Sequence, residues 1–365
     1  MKFDTIGFVG LGLIGGSIAK KIKYNKPDTK IFATAHRVST IEEAYKEGII
    51  ENESLPDLDI FHNCDIIFLC APVQENLKYL RELKSIIKPE CIITDVGSTK
   101  GEIHREVINL QMENQFIGGH PMTGSEKTGI QNANRFLLEN AYYIITPTSM
   151  TEEADVITFK KWIESFGSIP MVMNYEAHDY ATASISHLPH MIAFSLVNLV
   201  RTSDDSKETM KTIAAGGFKD ITRIASSSPV MWENICSSNK DMLVKQMNHY
   251  IEILEELKTI ILNNNSEYLL DFFGAARDYR DSITVPSRNS QLIVHEIYLD
   301  LADEAGGIAT IAGILANNSI SIKNIGIINN REFEDGVLRI EFYENNSKEK
   351  AIELLNLKDY HIYNR

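Results

Sequence analysis

Short apolar runs alternate with stretches of helical period from residue 1 to about 150. Thr5–Gly10 (TIGFVG), Lys30–Ala35 (KIFATA), Asp65–Leu69 (DIIFL) and Cys91–Val96 (CIITDV) read as buried strands, with helical patterns between them. That alternation predicts an α/β domain built on a parallel, doubly wound sheet. From 151 to 285 the period becomes all-α. Leu243, Met247, Tyr250, Leu254, Leu257 and Ile261 recur every three or four residues and predict one apolar seam along a long helix. A seam this regular predicts a homodimer built on the helical domain. The most apolar stretch, Met191–Val200, is too short to cross a membrane and follows His187, Pro189 and His190, so it reads as a buried helix beginning there. The segment 281–290 reads as a linker. Beyond it, strand 293–300, helix 307–316, strands 321–328 and 337–343, helix 347–355 and a closing strand near His361 predict a small α+β domain of order βαββαβ, spanning 291–365. Its turn from Asp303 through Glu304, Ala305 and Gly306 to Gly307 offers bare backbone amides to an amino-acid carboxylate.

The first strand runs directly into GLGLIGGSIA, where Gly10, Gly12 and Gly15 form G-x-G-x-x-G. The first glycine allows the tight turn, the second lets a pyrophosphate approach the backbone, and the third lets helix pack against strand. The phosphates would rest on helix-terminal amides that include Leu13 and Ile14. The expectation is a Rossmann-type dinucleotide site, with Ala71, Pro72 and Gly97 on loops at the carboxyl ends of later strands. An acidic residue at the end of the second strand would hold the ribose of NAD. Ala35 stands there, followed by His36, Arg37, Ser39 and Thr40, a set suited to a 2′-phosphate. The cofactor is therefore NADP or NAD, with NADP favoured.

Composition fits a metabolic enzyme of several domains: 365 residues, 44% hydrophobic. A formal charge of -14 argues against nucleic acid or an anionic membrane as partner, and requires a local cation cluster wherever an anionic substrate binds. Cys64, Cys70, Cys91 and Cys236 show no metal spacing and read as thiols of a reducing cytoplasm.

Three polar clusters carry the candidate chemistry. Gly118–Gly129, GGHPMTGSEKTG, has no hydrophobic period and reads as a pocket-lining loop holding His120, Thr123, Ser125, Glu126 and Lys127. In SHLPH, His187 and His190 flank Pro189; no carboxylate or cysteine stands at ligand spacing nearby, so no metal is expected. In GGFKDITR a glycine-led turn brings Arg223 onto the first turn of a helix, either as a surface ion pair or as an anion clamp.

The set GLGLIG, DVGSTK, GGHPMTGSEKTG, SHLPH and GGFKDITRIA, in that order, resembles the prephenate dehydrogenases of tyrosine biosynthesis over residues 5 to 280. The tail resembles an ACT domain, a module that often binds an amino-acid effector, here expected to be tyrosine. The resemblance implies oxidative decarboxylation of prephenate to 4-hydroxyphenylpyruvate. It implies His120 as the base at the 4-hydroxyl, and Ser98 as the serine that orients it. Arg223 matches the arginine that holds an anionic group, and His190 a histidine that contacts substrate. Glu126 and Lys127 would stand at the pocket mouth, and His187 would fix the helix start. Arogenate dehydrogenase, with an amine in place of the keto group, is the nearest alternative; a β-hydroxyacid dehydrogenase offers no counterpart to GGHPMTGSEKTG, and a sensor without turnover would make no reduced cofactor.

Overall fold

A computed structural model describes residues 3–124, 127–283, 295–301, 306–328 and 336–363. Two compact units divide the chain, residues 1–288 and 289–365. The first begins β1 (Thr5–Val9), α1 (Leu13–Asn25), β2 (Lys30–Thr34), α2 (Val38–Lys46), β3 (Ile66–Leu69), α3 (Val73–Leu83), β4 (Ile92–Asp95) and α4 (Gly101–Asn109). These strands form a parallel sheet of order β2-β1-β3-β4. The order reverses between β1 and β3, which opens a crevice beyond their carboxyl ends. Both faces are covered: Phe8 stacks on Phe68 with ring centroids 5.0 Å apart, while Val9, Leu69 and Ile93 pack with Leu80 and Val107 in a second apolar cluster. Burial on both faces is why the strands read as unbroken apolar runs.

The sheet continues further than the pattern predicts. A parallel bridge from Ile93 to Phe116 leads to β5 (Ile117–Pro121). Next comes β6 (Tyr142–Pro147), antiparallel to β5; after α5 (Glu153–Ser165), β7 (Ile169–Val172) pairs parallel to β6. The α/β part therefore passes the expected boundary at 150 and includes one antiparallel pairing. The strand β7 escaped the reading because it has four residues, contains Pro170 and buries none of them.

The helical part begins with α6 (Tyr175–Thr182), a π-helical turn (Ala183–His187) and α7 (Leu188–Ser203), which together make one 29-residue helix. By length and composition alone this helix could cross a membrane. The expected start at Pro189 is corrected: the missing amide of Pro189 is absorbed by the π turn, in which Leu188 N–H reaches back to Ala183 O. Next come α8 (Thr209–Ile213), α9 (Gly216–Thr222), α10 (Pro229–Ser238), α11 (Lys240–Leu262) and α12 (Ser266–Ser282); α12 runs two residues into the expected linker. On α11 the seam starts inside with Leu243 but opens outward, leaving Met247 38%, Leu254 44% and Ile261 54% exposed. With α7 it forms an apolar groove of about 370 Å³ lined by Leu196, Leu199, Tyr250 and Ile251 among others.

The second unit has β8 (His295–Leu301), α13 (Gly307–Asn317), β9 (Ile322–Ile328), β10 (Gly336–Phe342), α14 (Asn345–Asn356) and β11 (Ile362–Tyr363). Its antiparallel sheet has order β11-β8-β10-β9. This is the βαββαβ arrangement the pattern predicts, with Leu299, Leu338 and Ile340 packed in one cluster with Ile311, Leu315 and Leu355. Of the expected amide-bearing turn, Asp303, Glu304 and Ala305 lie outside the described residues.

Candidate active site

The glycine loop after β1 has the geometry its spacing implies. Gly10 has φ +90°, and a Cβ there would stand 2.9 Å from Ala71 N. A Cβ on Gly15 would stand 2.6 Å from Gly10 O, whereas one on Gly12 would meet nothing within 4 Å among the described residues. Gly12 is thus the open position, at the amino end of a helix whose first amides have no side-chain cap. Those amides and that space fit a dinucleotide pyrophosphate. Leu13 and Ile14 are half-buried in the first turn of α1. Across the crevice, Asn76 pins the loop after β3 by accepting from Ala71 N (3.1 Å) and donating to Ala71 O (2.8 Å); Pro72 caps α3. Gly97 N–H donates to Asp95 Oδ2 (2.9 Å), shaping the turn that carries the half-buried Ser98. At the end of β2, His36, Arg37 and Ser39 are exposed and Thr40 is half-buried.

The predicted loop at 118–129 starts as a strand. Gly118, Gly119 and His120 lie in β5 and are buried. The glycines are there for space: a Cβ on Gly118 would run into Thr146 and His104, and one on Gly119 would lie 2.7 Å from Asp95 O. The expected polar loop begins only at Met122. Around Gly119 the end of β4 forms a brace. Buried Lys100 pairs with Asp95 and donates to Gly119 O (2.7 Å), while Gly119 N–H donates to Asp95 Oδ1 (3.2 Å).

His120 heads a chain of hydrogen bonds the sequence did not announce. Its Nδ1 lies 2.8 Å from His178 Nε2, and His178 Nδ1 lies 2.8 Å from Asp179 Oδ1. The carboxylate of Asp179 also accepts from Lys100 N–H (2.8 Å) and Gly101 N–H (2.7 Å). Burial would raise the Asp179 pKa, but these bonds outweigh it and hold the carboxyl below its usual range. An ionised carboxylate only accepts, so His178 Nδ1 is the donor and its Nε2 an acceptor. His120 Nδ1 must then donate, which leaves a lone pair on His120 Nε2. Burial first, then the neighbouring His178, Lys100 and His187, push the His120 pKa well below 6.5. The ring is a neutral base of fixed tautomer.

Its partners come from α6, and the π turn resets the helix beyond them. One extra residue rotates the face of α7 relative to α6 by about 100°. His187 closes this turn and His190 lies just past it. His190 Nδ1 donates to Ser186 O (2.9 Å), and its ring lies on Trp232 with centroids 3.9 Å apart. Burial lowers the His190 pKa and the nearby charge of Arg223 lowers it further, so the structure brings together two residues the sequence had only put in separate clusters. Arg223 does not stand on the first turn of a helix as expected. It comes after α9, opening a short 3-10 turn (Arg223–Ser226), because the helix starts at the glycines themselves.

Not every expected residue joins this group. Thr123 donates its hydroxyl to Leu137 O (3.1 Å). Lys127 is exposed and lines a depression with Lys20, Lys23 and Arg135. Ser125 and Glu126 lie outside the described residues. Conversely His178, Asp179 and Trp232 were missed. The one available signal was the His178-Asp179 dipeptide nine residues before His187.

Two family models match the chain: the nucleotide-binding domain of prephenate dehydrogenase over residues 18–169, and its dimerization domain over 174–275. Prephenate dehydrogenase of Bacillus subtilis (strain 168) is 38% identical over 351 residues, covering 95% of this chain and 94% of that protein. The chain belongs to the prephenate dehydrogenase family. Among solved structures of the family, the Aquifex aeolicus enzyme in complex with hydroxyphenyl propionate and NAD+ matches with TM-score 0.73 and 30% identity, over 78% of this chain and 99% of that one. Arogenate dehydrogenase of Synechocystis matches with TM-score 0.69 and 31% identity, over 76% and 99%. Membership makes the protein an NAD(P)-dependent oxidoreductase with a Rossmann-type domain and the family's dimerization domain.

Proposed function

We propose that the protein oxidises and decarboxylates prephenate to 4-hydroxyphenylpyruvate, with His120 as the base. The observation that carries this reading is the Asp179–His178–His120 chain, which presents a lone pair on His120 Nε2 in a buried site. When bound, the nicotinamide accepts the hydride that leaves the carbinol carbon. The hydroxyl proton passes to His120 Nε2, and the imidazolium that forms is stabilised through His178 by Asp179. Loss of carbon dioxide then aromatises the ring, so that catalysis rests on positioning. Ser98 orients His120 and the hydroxyl, while Arg223 and His190 hold the carboxylate end.

The deciding experiment tracks reduced nicotinamide formation by ultraviolet absorbance with prephenate and, in parallel, arogenate. Similar identity to a prephenate and to an arogenate dehydrogenase supports keeping arogenate as the second substrate. A sensor would give no signal with either. His120→Asn should lower turnover by about 10²- to 10⁴-fold and leave substrate affinity largely intact. Near wild-type turnover would remove His120 from the mechanism.

NADP is the proposed cofactor: β2 ends at Thr34 with Ala35 where an acid would stand, and the cation Arg37 and hydroxyls of Ser39 and Thr40 come next. A higher kcat/KM with NAD would overturn this. The second unit is read as an ACT-like module taking tyrosine, so removal of residues after about 290 should abolish inhibition but not turnover. Four free cysteines, with burial raising the thiols of Cys64 and Cys91 to about 12, suit a cytoplasmic protein; the match to the family's dimerization domain and the exposed seam of α11 support a homodimer.

A further inference from the structure

Lys100 is wholly buried, 0% exposed, and the proposed reaction gives it no part. It nevertheless reaches both ends of the chain that aims His120. At one end its backbone N–H donates to Asp179 Oδ1 (2.8 Å). At the other its ammonium pairs with Asp95 and donates to Gly119 O (2.7 Å), the carbonyl of the residue directly before the base. Asp95 Oδ1 accepts from Gly119 N–H (3.2 Å), so the ion pair grips both backbone polar groups of one strand residue. Ladder bonds from β4 would ordinarily do this. Among the described residues, however, β4 and β5 share only the bridge from Ile93 to Phe116. Past that bridge two side chains replace the missing ladder and hold Gly119 in place.

A buried ion pair is a poor device for stability alone. Taking two charges out of water offsets most of what their attraction gains, and a well-packed apolar pair often serves a fold as well or better. An apolar pair could supply neither the acceptor and donor for Gly119 nor a positive charge beside the base. Burial pushes the Lys100 pKa down, while Asp95 and then Asp179 push it back up. The titratable groups packed around His120 and its strand are Asp95 and Lys100 at the end of β4, His104 on α4, Tyr143 on β6, His178 and Asp179 on α6, and His187 in the π turn. Burial keeps the three histidines and the tyrosine neutral. Lys100 is the cation of this set, and protonating His120 would bring a second positive charge beside it.

We propose that Lys100 is the positioning residue of the base: from one buried point it fixes the strand of His120 against the carboxylate of Asp179 and holds a positive charge beside the ring. This rests on the reaction proposed above, in which His120 must be neutral to accept the hydroxyl proton.

The test is the pH dependence of turnover in two variants of the full-length protein. Lys100→Met keeps most of the buried stem but strips Asp95 of its partner; Asp95→Asn combined with Lys100→Met removes the unpaired carboxylate as well and protects the fold. In both, kcat should fall about 10- to 100-fold, with KM for prephenate and cofactor affinity within about twofold of the wild type. The acid limb of the kcat profile should move up by about one pH unit or more. An acid limb that does not move in a folded double variant would reduce Lys100 to a structural ion pair, and so would equal losses of turnover, substrate affinity and cofactor affinity. A second readout needs no turnover: ring-nitrogen magnetic resonance of the histidine-labelled protein, with the His120 signals assigned by their loss in His120→Asn. The His120 ring should protonate at a higher pH in both variants than in the wild type, and an unmoved titration overturns the proposal. If the wild type turned over neither prephenate nor arogenate, the reaction would fall, while a shifted His120 titration would leave the role of Lys100 standing.

Discussion

His120 Nδ1 lies 2.8 Å from His178 Nε2, a contact between residues 58 positions apart that orients the base of the site. Asp179 sets the direction of the whole chain. Asp179→Asn can offer an N–H to His178 Nδ1, which would move the His178 proton to Nε2 and the His120 proton to the substrate-facing nitrogen. Turnover should fall on the order of 10²- to 10⁴-fold with cofactor affinity preserved. Steady-state kinetics with a parallel cofactor titration checks this; a loss of cofactor binding equal to the loss of turnover would count against the tautomer argument.

Acid should destabilise the protein earlier than its carboxylates alone would dictate. Burial depresses His104 to about 3 and His187 to about 4, so both are neutral when folded. Between these values and about 6.5 the unfolded chain binds more protons, and stability rises with pH. Their contribution is present above about 6.5 and is lost progressively as pH falls towards the folded values, at up to about 1.4 kcal/mol per pH unit for each group. Urea midpoints should drop steadily from pH 7 to pH 4. His104→Gln should flatten that slope, and an unaltered slope would dissociate His104 from it.

The glycines of the first loop should separate binding from stability. Gly15→Ala places a methyl 2.6 Å from Gly10 O and against Cys70, so its melting temperature should fall. Gly12→Ala meets no atom of the described residues within 4 Å. It should melt like the wild type yet bind cofactor at least about tenfold more weakly, because the methyl occupies the space left for pyrophosphate. Thermal melts and fluorescence titration with cofactor distinguish the two; equal cofactor affinity in Gly12→Ala would move the phosphates elsewhere.

On α11 the exposed part of the seam should govern association. Ile251 and Leu254 are 51% and 44% exposed, so Leu254→Glu removes little from the fold of one chain. Burying that carboxylate against a second copy would cost several kcal/mol. Sedimentation should shift from dimer towards monomer at micromolar concentration with the far-ultraviolet circular dichroism unchanged. An undisturbed dimer would place the interface away from this face.

Much of this molecule was legible in the sequence, for a physical reason. A sheet covered on both faces forces unbroken apolar strands, so β1 to β4 showed themselves as runs; the phosphate turn needs glycine at Gly10 for its positive φ and at Gly15 for close approach, and its spacing records both. The second unit likewise betrayed its βαββαβ order through local period. The features that escaped have no local period. The strand β7 is short, half-exposed and interrupted by Pro170. The start of GGHPMTGSEKTG was read as loop, since glycines chosen for close approach to Asp95 and Thr146 look in sequence like glycines chosen for flexibility. Pro189 was read as a helix start because a π turn leaves no mark on composition.

The sequence by itself determined which elements form and which groups are available: a phosphate loop, a histidine among glycines, an arginine after a glycine pair. Only the tertiary structure decided which nitrogen of His120 is free. That choice runs through His178 to Asp179, and from there to the amides of Lys100 and Gly101. A proton's position on a ring is fixed by the contacts of the other nitrogen, and those contacts exist only once β5, α6 and the end of β4 have packed together.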